Sequence, residues 1–386
     1  MTDSERQDIA ATAKLVVVKV GTRVLTGPDG LLDFEQIDSL SRQIDLLMKS
    51  GRKVVLVSSG AVGAGMGRLC LTHRPTELAK LQAVAAVGQS SLIEAYERAL
   101  RGRGHHAAQV LLVADDLQQR TRYLNIRNTL RALLNFQAIP IVNENDTVSV
   151  EELRTTFGDN DRLAALVTNV LGAPLLVLLS DVEGLFDQHP SNPGATRIDT
   201  ISQIDDRIEA MAQDKVTGLS KGGMASKLRA AKIVTQAGGN VVIASGRDGA
   251  VLEKICAGEL IGTLFPARGA SMPAWKRWLG WSADPQGTLS LDSGAKDAVI
   301  MRGSSLLAAG VSHVHGDFKK GDVVTLLSED GRELARGLVN YTSDELTRIR
   351  GLTTEKIADV LGYCPYEEVV HRDNLTIICS DPSTPR

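Results

Sequence analysis

The sequence predicts an α/β fold: an open, mostly parallel sheet sandwiched by helices, followed by a small β-rich domain. Three observations carry this expectation. Short Val/Ile/Leu runs alternate with amphipathic stretches from Lys14 to about Gly246. The runs show little polar alternation, as expected of strands covered on both faces. After about Leu264 the segments become shorter and richer in turns. A length of 386 residues suits two domains.

Taken in order, "MTDSERQDIAATAK" is polar and acidic with no signal-peptide core, so residues 1–13 are expected to be a flexible N-terminus. The first domain, 14–265, holds six candidate strands: "KLVVVKV", "RKVVLVSS", "AQVLLVAD", "AIPIVNEN", "PLLVLLSD" and "NVVIASG". Between them lie helical patterns. Phe34, Ile37, Leu40, Ile44 and Leu47 recur at spacings of three and four, and others cover about 76–101, 121–135, 162–171 and 224–237. Residues 266–285 hold all three tryptophans and three of the twelve prolines, and read as a linker. The β-rich domain is expected over 286–370, with "SEDGREL" as a hairpin turn. Residues 371–386 read as a tail.

Composition narrows the function. The formal net charge of −3 provides no global basic field toward nucleic acid or membrane. The apolar runs are too short to span a bilayer. Cys70, Cys256, Cys364 and Cys379 form no C-x-x-C pair, which reads as reduced thiols of a cytoplasmic protein and neither a disulfide frame nor a zinc site. No metal ligands are assigned. His105, His106, His313 and His315 lack carboxylate or cysteine partners in sequence and read as surface or turn residues.

The polar residues gather where strands should end, which is where open α/β sheets bind ligands. Lys19 closes a buried run and precedes Gly21-Thr22; it is either a ligand group or a lysine snorkelling to water. "VSSGAVGAGMG" (57–67) runs a strand into Ser58, Ser59, Gly60 and more glycines. It is either an anion-binding turn or a small-residue helix packed on the sheet. Neither standard nucleotide fingerprint is present. "VNENDTV" and "FGDNDRLAALV" place Asn143, Glu144, Asn145 and Asp146, then Asp159, Asn160 and Asp161, at a strand end and a helix start. N-capping accounts for one such residue, not two clusters. Ser180-Asp181 end another strand, and Lys227 stands in the first turns of a helix after Gly222-Gly223. Two lysines, two glycine-rich loops and several carboxylates together suit phosphoryl transfer from a nucleotide to a small charged acceptor.

The order Lys19-Val-Gly-Thr, "SSGAVGAG", "VNEND", "GDND", "SDVEGLF" and "GGMASKL" resembles the glutamate 5-kinases of the amino-acid kinase family. The later "GTLSLDSGAKDAV…RGSSLL…GDFKKGDVV" looks like a PUA domain. The resemblance implies an enzyme that phosphorylates the side-chain carboxylate of L-glutamate with ATP, giving glutamate 5-phosphate at the first step of proline biosynthesis. It further implies Mg²⁺ beside ATP, proline as a feedback inhibitor and a homo-oligomer. By the same resemblance Lys19 and Lys227 are catalytic. Ser59, Asp146 and Asn160 hold glutamate. Lys19, Ser180 and Asp181, with Lys221, Gly222, Gly223, Met224, Ala225, Ser226 and Lys227, bind the nucleotide. The chain departs from the family at Ser180, where Thr is common, and at Lys221, an extra cation beside the phosphate loop.

A carboxylate acceptor is already ionised at neutral pH, so no general base is required. The difficulty is to bring an anion to a polyanion, which gives Lys19 its use. Sibling kinases acting on N-acetylglutamate, aspartate or UMP are the near alternatives; the "VNEND…GDND" pair favours an acceptor with a free amine. A PUA-like domain also raises an RNA-binding role. Residues 286–362, however, carry nine Lys/Arg against eleven Asp/Glu, which is not the basic footprint RNA binding normally shows.

Overall fold

The computed structural model describes residues 2–148, 159–188, 192–211, 223–268 and 273–378. The chain divides into two compact units, Met1–Leu117 with Thr121–Ser271, and Gln118–Arg120 with Met272–Arg386.

The first unit runs α1 (Thr2–Thr12), β1 (Leu15–Val20), α2 (Thr22–Leu25), α3 (Phe34–Lys49), β2 (Lys53–Ser58), α4 (Ala61–Arg68), α5 (Leu78–Arg101), β3 (Ala107–Leu112), α6 (Arg120–Asn135), β4 (Ile139–Glu144), α7 (Asp159–Leu171), β5 (Leu175–Ser180), α8 (Asp206–Met211), α9 (Met224–Gln236), β6 (Asn240–Ser245), α10 (Val251–Cys256) and β7 (Thr263–Phe265). Its sheet has the order β3-β4-β2-β1-β5-β6-β7. Neighbouring strands are parallel except β7, which is antiparallel to β6. The unalternated Val and Leu runs have their explanation in burial. Val16, Val17 and Val18 of β1, and Leu176, Val177 and Leu178 of β5, are wholly inaccessible, so each strand is covered on both faces. Asp33 caps α3 by accepting a hydrogen bond from the Gln36 N–H at 3.0 Å, and Ile37, Leu40, Ile44 and Leu47 face the core.

Helices α4 and α5 touch backbone to backbone. A Cβ on Gly65 would stand 1.9 Å from the Val84 carbonyl oxygen, and one on Gly88 would stand 1.7 Å from that of Ala61. No other residue fits either position without parting the helices. The small-residue helix reading of 57–67 is therefore correct for its packing, and it coexists with the turn at Gly60, whose φ of +102° suits glycine.

The N-terminal segment differs from the expected flexible one. Residues Thr2–Thr12 are helical, and Arg6, only 4% exposed, fastens them. Its guanidinium donates to the carbonyls of Asp199 (2.6 Å), Ile261 (2.7 Å), Gly262 (3.2 Å) and Glu259 (3.4 Å). Arg52 adds bonds to the carbonyls of Ala10 and Cys256, both at 3.0 Å. Such anchoring is invisible to periodicity because it uses one cation and distant backbone. Arg6→Ala is expected to cost about 2–3 kcal/mol, the scale for losing charge-assisted hydrogen bonds in a buried place. A thermal melt and protease cleavage within α1 would register it; an unchanged melt would show the clamp to be incidental. Arg6→Lys should recover little, since one ammonium cannot span four carbonyls.

The second unit holds α11 (Ala274–Trp281), β8 (Gly287–Leu291), α12 (Ser293–Ile300), β9 (Leu306–Leu307), β10 (Val311–Gly316), β11 (Val323–Leu327), β12 (Glu333–Leu338), α13 (Ser343–Ile349), α14 (Ile357–Leu361), β13 (Glu368–Val370) and β14 (Leu375–Ile377). Five strands form a sheet of order β10-β8-β11-β12-β14, and β13 pairs β9. The "SEDGREL" hairpin joins β11 to β12, with Gly331 at φ +80°. Within the stretch read as a linker, α11 forms because Trp278 and Leu279 are buried. Within the stretch read as a tail, β14 continues the sheet by pairing with β12. Residues 379–386 lie outside the described ones.

Candidate active site

Parallel pairing turns sequence distance into adjacency. Val20 lies beside Ser58 on one side and Leu179 on the other, and Leu56 and Val57 pair with Ile141 and Val142. The carboxyl ends of β4, β2, β1 and β5 thus stand in a row, carrying Asn143, Ser59, Lys19 and Ser180. Helix α7 packs across β1, β5, β2 and β4, and α9 packs on α7.

Lys19 does not snorkel. It is 6% exposed, and its Nζ lies 2.7 Å from Asp161 Oδ1. Lys227, in the first turn of α9, approaches the other carboxylate oxygen at 3.3 Å, and Ser226 Oγ donates to that same oxygen at 2.6 Å. One carboxylate, 1% exposed, therefore gathers two ammonium groups from opposite ends of the domain's sequence. Burial alone would raise the Asp161 pKa, but the charges of Lys19 and Lys227 outweigh it and hold the carboxyl at about 2. Burial pulls Lys227 below the ordinary lysine value and Lys19 adds to that, with Asp161 opposing. Two cations against one anion leave positive charge where water is scarce, which favours an arriving anion.

Asn160, beside Asp161, donates from Nδ2 to Ser59 Oγ and to Asn143 Oδ1, both at 3.1 Å. Asn143 Oδ1 also accepts from the Glu144 N–H at 2.9 Å. Ser59, Asn160 and Asn143 are thus tied into one polar wall. Asp146 is 5% exposed, and both the neighbouring Gln89 amide and the charge of Arg74 favour its ionised form. Burial dominates there and lifts its pKa to about 6. Ser180 Oγ donates to Asp181 Oδ1 at 3.1 Å, and Arg23 reaches Asp181 Oδ2 at 3.0 Å. Burial raises the Asp181 pKa, but the Arg23 bond leaves it below the usual carboxylate range. Asp181 also acts electrostatically on Lys227, which connects the two halves of the row.

The structure brings Lys19, Lys227 and Ser226 into one cluster, and Ser59 with Asn160 into its neighbour. Gly223 caps α9, with Met224 and Ala225 in its first turn. Lys221 and Gly222 lie outside the described residues. Asp161 is the principal residue that sequence reasoning left unassigned. Its helix-start position offered the ordinary capping explanation. The usable signal was charge: two buried lysines require a buried counter-charge. Two of the histidines that lacked partners in sequence find carboxylates in the fold: His105 pairs with Asp45 at 3.0 Å and His106 with Glu97 at 3.2 Å.

Comparison with known proteins adds three findings. The model of the amino acid kinase family matches residues 14–245, and that of the PUA domain matches residues 287–361. A glutamate 5-kinase of Rhodopirellula baltica is 49% identical over 372 residues, covering 96% of each chain. Those of Syntrophotalea carbinolica and Moorella thermoacetica are 46% and 45% identical, with 96% and 98% of this chain covered and 99% and 100% of theirs. Among solved structures, carbamate kinase from Giardia lamblia bound to AMP-PNP aligns with 67% of this chain and 100% of its own, at 18% identity and a TM-score of 0.48.

Proposed function

The chain belongs to the amino acid kinase family, in its glutamate 5-kinase branch, and we propose how its pocket performs that branch's reaction: transfer of the γ-phosphoryl group of ATP to the side-chain carboxylate of L-glutamate. The product is glutamate 5-phosphate, and the step is the first of proline biosynthesis. The enzyme is a phosphotransferase with a carboxyl group as acceptor. The observation that carries the residue assignment is the Lys19–Asp161–Lys227 cluster at the meeting of β1, α7 and α9.

In this reading the γ-phosphoryl group enters against Lys19 and Lys227, which Asp161 keeps apart and aimed. Negative charge developing on the transferring group is met by fixed ammonium groups rather than by water. Ser180 and Asp181 line the nucleotide side, with Lys221 to Lys227 covering the phosphates. Ser59, Asn160 and Asp146 hold glutamate, Asp146 taking its ammonium. Among the described residues no three His, Cys, Asp or Glu side chains converge to cage a metal. A Mg²⁺ ion that arrives with ATP would be held mainly by phosphate oxygens, a mode that needs few protein ligands. When bound, Mg²⁺ supplies further charge neutralisation to the phosphates. Proline as a feedback inhibitor, a homo-oligomeric state and a cytoplasmic location belong to the proposal as well. No helix of the described residues is long and apolar enough to cross a membrane. The acidic balance of residues 286–362 speaks against nucleic acid as a partner.

Incubation with glutamate, ATP, Mg²⁺ and hydroxylamine tests the reaction, because hydroxylamine traps an acyl phosphate as a hydroxamate. Absence of hydroxamate with glutamate, and its appearance with N-acetylglutamate or aspartate, would reassign the acceptor. Asp146→Ala is expected to raise the glutamate KM about ten- to a hundred-fold, the effect of losing a charge-assisted hydrogen bond, with little change in the ATP KM. An ATP-specific defect would move Asp146 to the nucleotide side. The pH dependence has a definite sign. Asp146 attracts an ammonium only when ionised, so affinity for glutamate is present above about pH 6 and lost as pH falls through it. At pH 5 the glutamate KM should stand about tenfold above its neutral value.

A further inference from the structure

The reaction as described uses Ser59 and Asp146 but leaves Gln89 without a task. Gln89 is a buried amide, 8% exposed, on the inner face of α5. Its Nε2 donates to the Glu144 carbonyl oxygen at 3.3 Å, and its amide neighbours the Asp146 carboxylate closely enough to favour the ionised form. The residue before it, Gly88, is one half of the seam at which α5 lies directly on α4. Helix α4 begins just after Ser59 and Gly60. The seam therefore fixes Gln89 relative to Ser59, and Gln89 in turn grips the chain leaving β4 at the Glu144 carbonyl.

We infer that Gln89 is a positioning residue for the substrate's ammonium group: its amide holds the Glu144 carbonyl two residues before Asp146, and so keeps Asp146 at a set place relative to Ser59. The inference rests on the reading of Asp146 as the ammonium site. One other charged group bears on Asp146. Arg74, from the connection between α4 and α5, acts through its charge from an exposed position. Glu144, two residues back, is buried. Water screens the exposed guanidinium, whereas nothing screens the buried amide. Gln89 rather than Arg74 therefore sets the carboxylate's place.

The test is steady-state kinetics on the full chain from pH 5 to pH 8 for wild type, Gln89→Met, Gln89→Glu and Asp146→Asn. Gln89→Met keeps the length and removes the donor. It is expected to raise the glutamate KM roughly tenfold while the ATP KM stays within about twofold. It should also move the acid limb of the glutamate KM profile to higher pH, because the ionised form of Asp146 loses a donor. Gln89→Glu keeps the shape and sets a second carboxylate beside Asp146, so it should move the limb further the same way, and it carries the test if Gln89→Met does not fold. Gln89 variants that raise both KM values in parallel, or lower the melting temperature while the acid limb stays put, would make Gln89 a packing residue only and overturn the inference. Wild-type behaviour of Asp146→Asn toward glutamate would instead remove the ammonium site itself, and the inference with it.

Discussion

Replacing Lys19 with alanine is expected to lower kcat by about 10²–10³, the loss typical of removing one preorganised charge donor. The KM values for glutamate and ATP should change far less, the signature of an interaction made chiefly in the transition state. The contact with Asp161 modifies the expectation for stability. A snorkelling lysine could leave without consequence, but this one is ion-paired at 2.7 Å in a buried place. Asp161 retains Lys227 and Ser226 after the change, so the melt should fall by only a few degrees. Lys19→Arg should not restore turnover, because a planar guanidinium cannot occupy the compact ammonium's place. A Lys19→Ala protein turning over within a few-fold of wild type would end the catalytic assignment.

Asp161→Asn is expected to be the more damaging change, because it harms two catalytic groups and the fold at once. The two lysines would face each other without the carboxylate that separates and neutralises them. Removing one member of a buried ionic cluster costs about 3–5 kcal/mol, so the melting temperature should drop by on the order of 10 °C. kcat should fall at least as far as in Lys19→Ala, by about 10²–10³ or more. ATP should recover part of the lost melting temperature, since its phosphates return negative charge to the lysines. Normal kinetics in a folded Asp161→Asn protein would mean that the lysines need no organiser.

How much of this was legible in the chain varies by the physics involved. The sheet was, because unalternated Val and Leu runs such as Val16–Val18 are what two-sided burial demands. Lys19 and Ser59 were legible as polar residues at the ends of apolar runs, and Lys227 as a lysine in the first turns of a helix that follows two glycines. Sheet order was not: nothing local in "NVVIASG" or "AIPIVNEN" says which strand lies beside β1. Asp161 escaped because its helix-start position already had a sufficient local explanation, and only the approach of two distant lysines reveals its load. Gln89 escaped because a buried amide shows no pattern at all until its partners are placed. The N-terminal helix escaped because Arg6 replaces an apolar stripe with bonds to four carbonyls far along the chain.

That last feature has a consequence for synthesis on the ribosome. Arg6 is separated from its acceptors at Asp199, Glu259, Ile261 and Gly262 by 193 to 256 residues. At about 5–20 residues per second, roughly 10–50 s pass between translation of Arg6 and of its last acceptor. During that interval the helix lacks most of its acceptors, and its polar sequence lets it wait in water. Its closure therefore comes late, just ahead of the sheet's final strand: a nascent chain stopped well before residue 262 leaves α1 exposed, and one that has passed it can hide it. Protease sensitivity of α1 on stalled ribosomes would read out, as a clock, the moment at which the kinase domain nears completion.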